Sequence, residues 1–179
     1  MISGELINLR AIDRSDLELV HDWLDDPELM RFWGYGVPAV SRNHVVQRIE
    51  QWLAEEDALG HPVAFLIETL AGETCGLLVL SDIGQVDRNG ELSIVLTRQH
   101  RGRGFGSDAL DTIADVAFSQ WNLHRLTVRS EAFNSDAHRF FTKHGFILEG
   151  RLREARYLDG AWHDVLIFGR LRTDQGETV

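Results

Sequence analysis

The stretch Arg101-Gly-Arg-Gly-Phe-Gly-Ser107 constrains this chain more than any other. It sits between an apolar run ending near Leu96 and a helical repeat made by Leu110, Ile113, Ala114 and Ala117. Glycines at this junction let a ligand approach the backbone closely, and the opening turn of a helix offers unpaired N–H groups and a partial positive charge. Arg101 and Arg103 add charge-assisted donors, so the segment reads as a cradle for a phosphate-like anion. It lacks the third glycine of a dinucleotide fingerprint and the Gly-Lys-Ser/Thr ending of a nucleoside triphosphate loop. Taken alone it also reads as a helix-opening turn with solvated arginines, or as an arginine-glycine patch for RNA.

The rest of the chain alternates strand and helix grammar. Leu6 to Arg10 reads as a strand, and Asp13 or Ser15 caps a helix whose apolar positions are Leu17, Val20 and Leu24. Phe32-Trp-Gly-Tyr-Gly-Val-Pro38 has no period and reads as a contact loop. Ser41 caps a second helix through Val45, Ile49, Trp52 and Leu53. Val63 to Ile67 and Cys75 to Leu80 read as a hairpin across Ala71-Gly72, followed by a strand from Glu91 to Leu96. After the long helix, Leu123 to Arg129 is a strand, and Asn134 or Ser135 caps a helix closed by Gly145. Phe146 to Leu158 and Ala161 to Leu171 form a hairpin over Asp159-Gly160. The order β-α-α-β-β-β-α-β-α-β-β predicts a mixed α/β (α+β) sheet of about seven strands in one domain, 1–172, with 173–179 as a polar tail.

Composition removes several function classes. Asp and Glu number 28 against 18 Lys and Arg, a formal net charge of −10, which opposes broad binding to nucleic acid or to an anionic membrane. No apolar run approaches the roughly 20 residues that span a bilayer. The lone Cys75 has no partner for an internal disulfide, and no spacing of Cys and His suggests a metal site, so a cytoplasmic protein without metal is expected.

Arg101-x-x-Gly104-x-Gly106 between strand and helix resembles the acyl-CoA pyrophosphate loop of the GNAT acetyltransferase superfamily. Asn134-x-x-Ala137-x-x-x-Phe141-x-x-x-Gly145-Phe146, followed by Glu149-Gly150, is similar to its later CoA-binding segment. Glu149 to Glu154 and Tyr157 to Asp164 resemble the branch of ribosomal-protein N-terminal acetyltransferases and spermidine acetyltransferases. The likeness runs from Leu6-Ile-Asn-Leu-Arg10 to the last hairpin. It implies a mostly antiparallel sheet with helices on both faces and one splayed parallel pair, formed by Glu91 to Leu96 and Leu123 to Arg129.

The resemblance also implies roles. Acetyl-CoA would be the donor, its pantetheine paired with the main chain of Leu92, Ile94 and Leu96, and its pyrophosphate held by Arg101, Gly102, Arg103, Gly104, Phe105, Gly106 and Ser107. Asn134 would orient the donor, Phe141 would contact it, and the N–H near Ile94 would steady the oxyanion. A primary amine must lose a proton before it attacks, from an ammonium with a pKa of about 8 in an α-amino group and about 10 in a lysine-like amine. Glu91 matches the glutamate of this branch that takes it. Phe141 and Ala137 stand where relatives carry the tyrosine or serine that protonates the departing thiolate, which leaves water, Ser135 or His138. Phe32, Trp33, Tyr35 and Tyr157 would line the acceptor site.

Two function classes follow. The first is an N-acetyltransferase acting on a peptide N-terminus, a polyamine or a small amine by direct attack in a ternary complex, as monomer or homodimer. The second, favoured by the missing tyrosine and serine, is a module of the same fold that binds acyl-CoA without turning it over.

Overall fold

The computed structural model describes residues 1–31 and 41–174. Eight strands form a sheet in the order β1-β2-β3-β4-β5-β6-β8-β7, one more than expected because Ile2–Ser3 (β1) pairs with Leu9 and Asn8 of β2 (Ile7–Ala11). The others are β3 (Ala64–Thr69), β4 (Thr74–Gly84), β5 (Asn89–Leu96), β6 (Arg125–Glu131), β7 (Ile147–Leu158) and β8 (Ala161–Leu171). β1 with β2, β2 with β3, β3 with β4, β6 with β8 and β7 with β8 pair antiparallel, whereas β5 and β6 run parallel, with Asn89, Gly90 and Glu91 opposite Arg125, Leu126 and Thr127. Among the described residues five α-helices intervene: α1 (Leu17–Leu24), α2 (Pro27–Met30), α3 (Arg42–Leu59), α4 (Phe105–Ser119) and α5 (Ser135–Lys143).

The chain divides into two compact units. The first comprises Met1–Val79 and Ile94–Ala109. Its strands bury Ile7, Leu9, Phe65, Leu66, Ile67, Leu77 and Leu78, and α1 and α3 contribute Val20, Leu24, Val45, Ile49 and Trp52. Local chemistry sets the helix starts. Asp13 and Asp16 form a capping box around a 3-10 turn (Arg14–Asp16) that leads into α1, and the Ser41 side chain accepts from the His44 N–H to open α3. Arg10 bonds both Asp16 oxygens, at 2.8 and 3.0 Å, and Glu68 at 2.7 Å, which fixes that turn to β2 and β3.

The second unit comprises Leu80–Ser93 and Leu110–Val179. Leu126 and Val128 alternate inward along β6, and Phe118, Phe141, Phe146 and Phe168 complete the core. Asn134 caps α5 by accepting from Ala137 N at 3.2 Å, which resolves the choice between Asn134 and Ser135. The β7–β8 turn places Asp159 and Gly160 at φ of 53° and 80°, the left-handed pair that a two-residue hairpin turn requires. The strand expected from Leu123 instead starts at Arg125. Leu123 is held by its N–H to Ala117 O at 2.9 Å, so it belongs to the approach from α4. A 3-10 turn, Arg172–Asp174, runs from the end of the expected domain into the expected tail.

Candidate active site

In the first unit, the glycine segment links a one-turn 3-10 helix (Arg98–His100) to α4. Gly102 and Gly104 are exposed, with φ of 74° and 87°. A Cβ on Gly102 would meet nothing within 4 Å, and one on Gly104 would lie 3.1 Å from Leu6 Cδ1. Positive φ disfavours side chains at both positions and leaves bare backbone facing outward. Arg101 donates through Nε to Leu96 O at 3.0 Å and through Nη1 to Glu28 at 3.4 Å. Arg103 lies over the Phe105 ring, 4.9 Å from its centroid. With the opening N–H groups of a 15-residue helix, these residues fit a pyrophosphate.

Two supports for this segment escape sequence reasoning. His100 is buried, and its ring bridges Thr97 Oγ1 at 2.6 Å and Glu73 Oε1 at 3.0 Å, while Thr97 N donates to Cys75 O. The segment is thereby tied to the start of β4. Asp108, in the first turn of α4, accepts from the N–H groups of Glu5, Leu6 and Ile7 at 3.1, 2.6 and 3.0 Å. An Asp at this place in a helix is a visible signal for dipole pairing, but its partners lie about a hundred residues away. Cys75 is fully buried and donates to Ile67 O; burial, helped by Glu73, pushes its thiol up to about 11, which suits packing and not nucleophilic attack.

In the second unit, Glu91 is partly buried, its side chain 22% exposed, and Arg129 Nε lies 2.9 Å from its Oε2. Burial raises the Glu91 pKa, Arg129 opposes the rise, and the charge of Asp82 adds to it. Strand pairing places Glu91, Thr127, Arg129 and Glu131 on one face, since parallel partners and alternate residues share a side. Three ion pairs run along that face. Arg125 forks onto Glu149, Arg129 meets Glu91, and buried Glu131 lies 3.6 Å from Arg156 Nε. Gly169 makes room for the first, because a Cβ there would collide with both partners.

The remaining expected residues fall as follows. Leu92 is buried, while Ile94 and Leu96 are half-buried on β5. Asn134 uses its carbonyl oxygen as the α5 cap, and its amide NH2 takes no part in that bond. Phe141 is buried against Phe140, Phe146 and Phe168. His138 lies with Nε2 3.0 Å from Glu131 O and its ring against Phe168, so one nitrogen is engaged in holding α5 to β6. Tyr157 is exposed and packs on Trp162, centroids 5.1 Å apart. Phe32, Trp33 and Tyr35 lie outside the described residues. Among the described residues, no group of three or more His, Cys, Asp and Glu could hold a metal ion, and no helix is long and apolar enough to cross a membrane.

Comparison with known proteins identifies the family and the fold. Residues 7–147 match the family described as acetyltransferase (GNAT) domain. The spermidine N(1)-acetyltransferase of Vibrio cholerae is 25% identical over 159 residues, 89% of each chain. The ribosomal-protein-serine acetyltransferase of Escherichia coli is 27% identical over 103 residues, 58% of each chain. Among solved structures, spermidine N-acetyltransferase from Vibrio cholerae in complex with CoA and spermine shares the fold, with a TM-score of 0.86 and 24% identity across 96% of this chain and 98% of that one.

Proposed function

The chain belongs to the GNAT acetyltransferase family, N-acetyltransferases that draw on acetyl-CoA, and we propose that it passes the acetyl group directly to a primary amine held at Glu91. The observation that carries this reading is Glu91 itself. A carboxylate raised by burial is a better base for an ammonium than a solvated one, and it precedes the glycine segment by ten residues on the strand that leads there.

Each residue then has a defined task. Gly102, Gly104 and the first N–H groups of α4 would hold the pyrophosphate, with Arg101 and Arg103 supplying charge. The Asn134 amide would orient the donor. Glu91 takes one proton from the ammonium, the nitrogen lone pair forms the new C–N bond, and the C–S bond breaks with its electrons leaving on sulfur. The second nitrogen proton ends on that thiolate, through water, so neither the Phe141 ring nor Ala137 needs to donate. A thiol is far more acidic than an alcohol, about 8.5 for a free cysteine, so a thiolate can leave without a dedicated acid. No bond to the enzyme forms. A cytoplasmic setting accords with the single free thiol of Cys75.

The test is a calorimetric titration with acetyl-CoA followed by thiol release across a panel of amino acids, peptides and polyamines; the named relatives put spermidine in that panel. Amine-dependent release that Glu91→Gln suppresses supports the reading. Binding of acetyl-CoA with no release from any amine overturns it in favour of a binding module.

A further inference from the structure

Resting on the reading of Glu91 as base, we propose that the acceptor is an amine bearing a carboxylate on the adjacent carbon, an α-amino acid or close analogue, and that Arg129 reads the carboxylate. The argument starts from donor inventory. A guanidinium carries five N–H donors, and Arg129 sets its Nε 2.9 Å from Glu91 Oε2 while its side chain stays 54% exposed. Among the described residues, Glu91 is the one carboxylate within ion-pair range of Arg129, and with about half of the side chain exposed the guanidinium keeps donors beyond that contact for a ligand. A planar pair of N–H donors matches the two oxygens of a carboxylate.

Charge balance during the reaction points the same way. Once Glu91 takes the ammonium proton it becomes neutral, and Arg129 loses the anion that offset it. A carboxylate on the acceptor restores the balance at the moment it is lost. A second ammonium, as on a polyamine, would instead face an uncompensated guanidinium.

The neighbouring acids complete the match. Glu131 and Glu149 share this face, and arginines already occupy them, Arg156 and Arg125 respectively. Asp82 remains, close enough for its charge to act on Glu91, and with Glu91 it favours an ammonium. Ammonium-favouring acids thus stand directly beside a carboxylate reader. Because the guanidinium touches Glu91, 2.9 Å from Nε to Oε2, the two binding points lie side by side, which suits an ammonium and a carboxylate on one carbon and not amines separated by a methylene chain.

The experiment compares kcat/KM for the common α-amino acids, their methyl esters and spermidine, with acetyl-CoA saturating. The free acid should exceed its ester by about tenfold or more, the scale of a charged hydrogen bond. Arg129→Gln should collapse the acid-to-ester ratio towards one, mainly through KM for the acid, and Arg129→Lys should restore part of it. The ratio is internal to each variant, so a general loss of active protein does not mimic the effect. Esters or spermidine used as well as the free acids, or a ratio that Arg129→Gln leaves unchanged, would overturn the proposal while leaving amine acetylation intact. Acetyl-CoA binding with no thiol release from any of these amines would instead bring down the reading of Glu91 as base, and this proposal with it.

Discussion

Arg129 Nε stands 2.9 Å from Glu91 Oε2, so the group assigned to remove the acceptor's proton is itself held by a cation. Two influences compete at Glu91. Burial favours its neutral form and Arg129 its charged form, with burial the larger, so its pKa lies above the ordinary carboxylate value of about 4.3.

The competition predicts the direction of a pH shift. Removing the cation in Arg129→Gln should raise the Glu91 pKa further, so the acidic limb of the kcat/KM profile moves to higher pH. A limb that stays in place or moves down would show that Arg129 does not act on Glu91 electrostatically. Glu91→Gln should cut turnover by about a hundredfold or more with little change in acetyl-CoA affinity.

The same shift makes Glu91 a cost to the folded chain. A group whose folded pKa is raised gives its full stabilisation below its unfolded pKa and loses it as pH rises through the folded value. At neutral pH the buried charge therefore opposes folding, and Glu91→Gln should melt higher than the parent at pH 7. The gain should vanish below about pH 3, where the carboxyl is protonated in both states. An equal or lower Tm at pH 7 would mean that the lost contact with Arg129 outweighs the burial.

Gly104 gives a third prediction, about the cradle. Its φ of 87° disfavours any side chain, and the nearest atom to an added Cβ is Leu6 Cδ1 at 3.1 Å. Gly104→Val should weaken acetyl-CoA binding by about tenfold or more, the scale of a charged hydrogen bond forfeited at the phosphate. Titration of the folded variant reads this directly. Retained affinity would remove the segment from the CoA site.

What the sequence disclosed was local. Ser41, Asn134, Asp159-Gly160 and the glycine segment each declare themselves within four to seven residues, because a cap, a turn or a bare backbone is set by its immediate neighbours. What it concealed was pairing across the sheet. Arg125, Thr127, Arg129 and Glu131 read as an unremarkable half-polar strand, and only the register of β5, β6, β7 and β8 turns them into a row of ion pairs. Nothing near Glu91 in the sequence names Arg129 as its partner. The candidate base was legible from its motif, and the cation that tunes it was not.

His100 gives a prediction separable from Glu91. Its ring joins Thr97 to Glu73 immediately before the cradle, so it acts there as a positioning residue. Glu73→Gln keeps a hydrogen-bonding oxygen and should have a small effect. His100→Leu removes both bonds, and KM for acetyl-CoA should rise while kcat at saturation changes little. His100→Asn, which retains polar atoms, should recover part of the loss. A fall in kcat with KM unmoved would place the effect at the chemistry and contradict the positioning role.

Asp108 gives the last. One carboxylate collects three main-chain N–H groups, those of Glu5, Leu6 and Ile7, and joins the start of β2 to the first turn of α4. The acid also lies at the positive end of the helix dipole, where a negative charge is favoured. Asp108→Ala removes both interactions and leaves three donors to water, so stability should fall by about 1–3 kcal/mol, seen as a lower midpoint in urea. Asp108→Asn keeps one acceptor oxygen and should lose less. Because the bonds are local, hydrogen exchange at Glu5, Leu6 and Ile7 should quicken before global unfolding is reached. Unchanged exchange at those three amides in Asp108→Ala would show that the β1–β2 hairpin holds this segment without the acid.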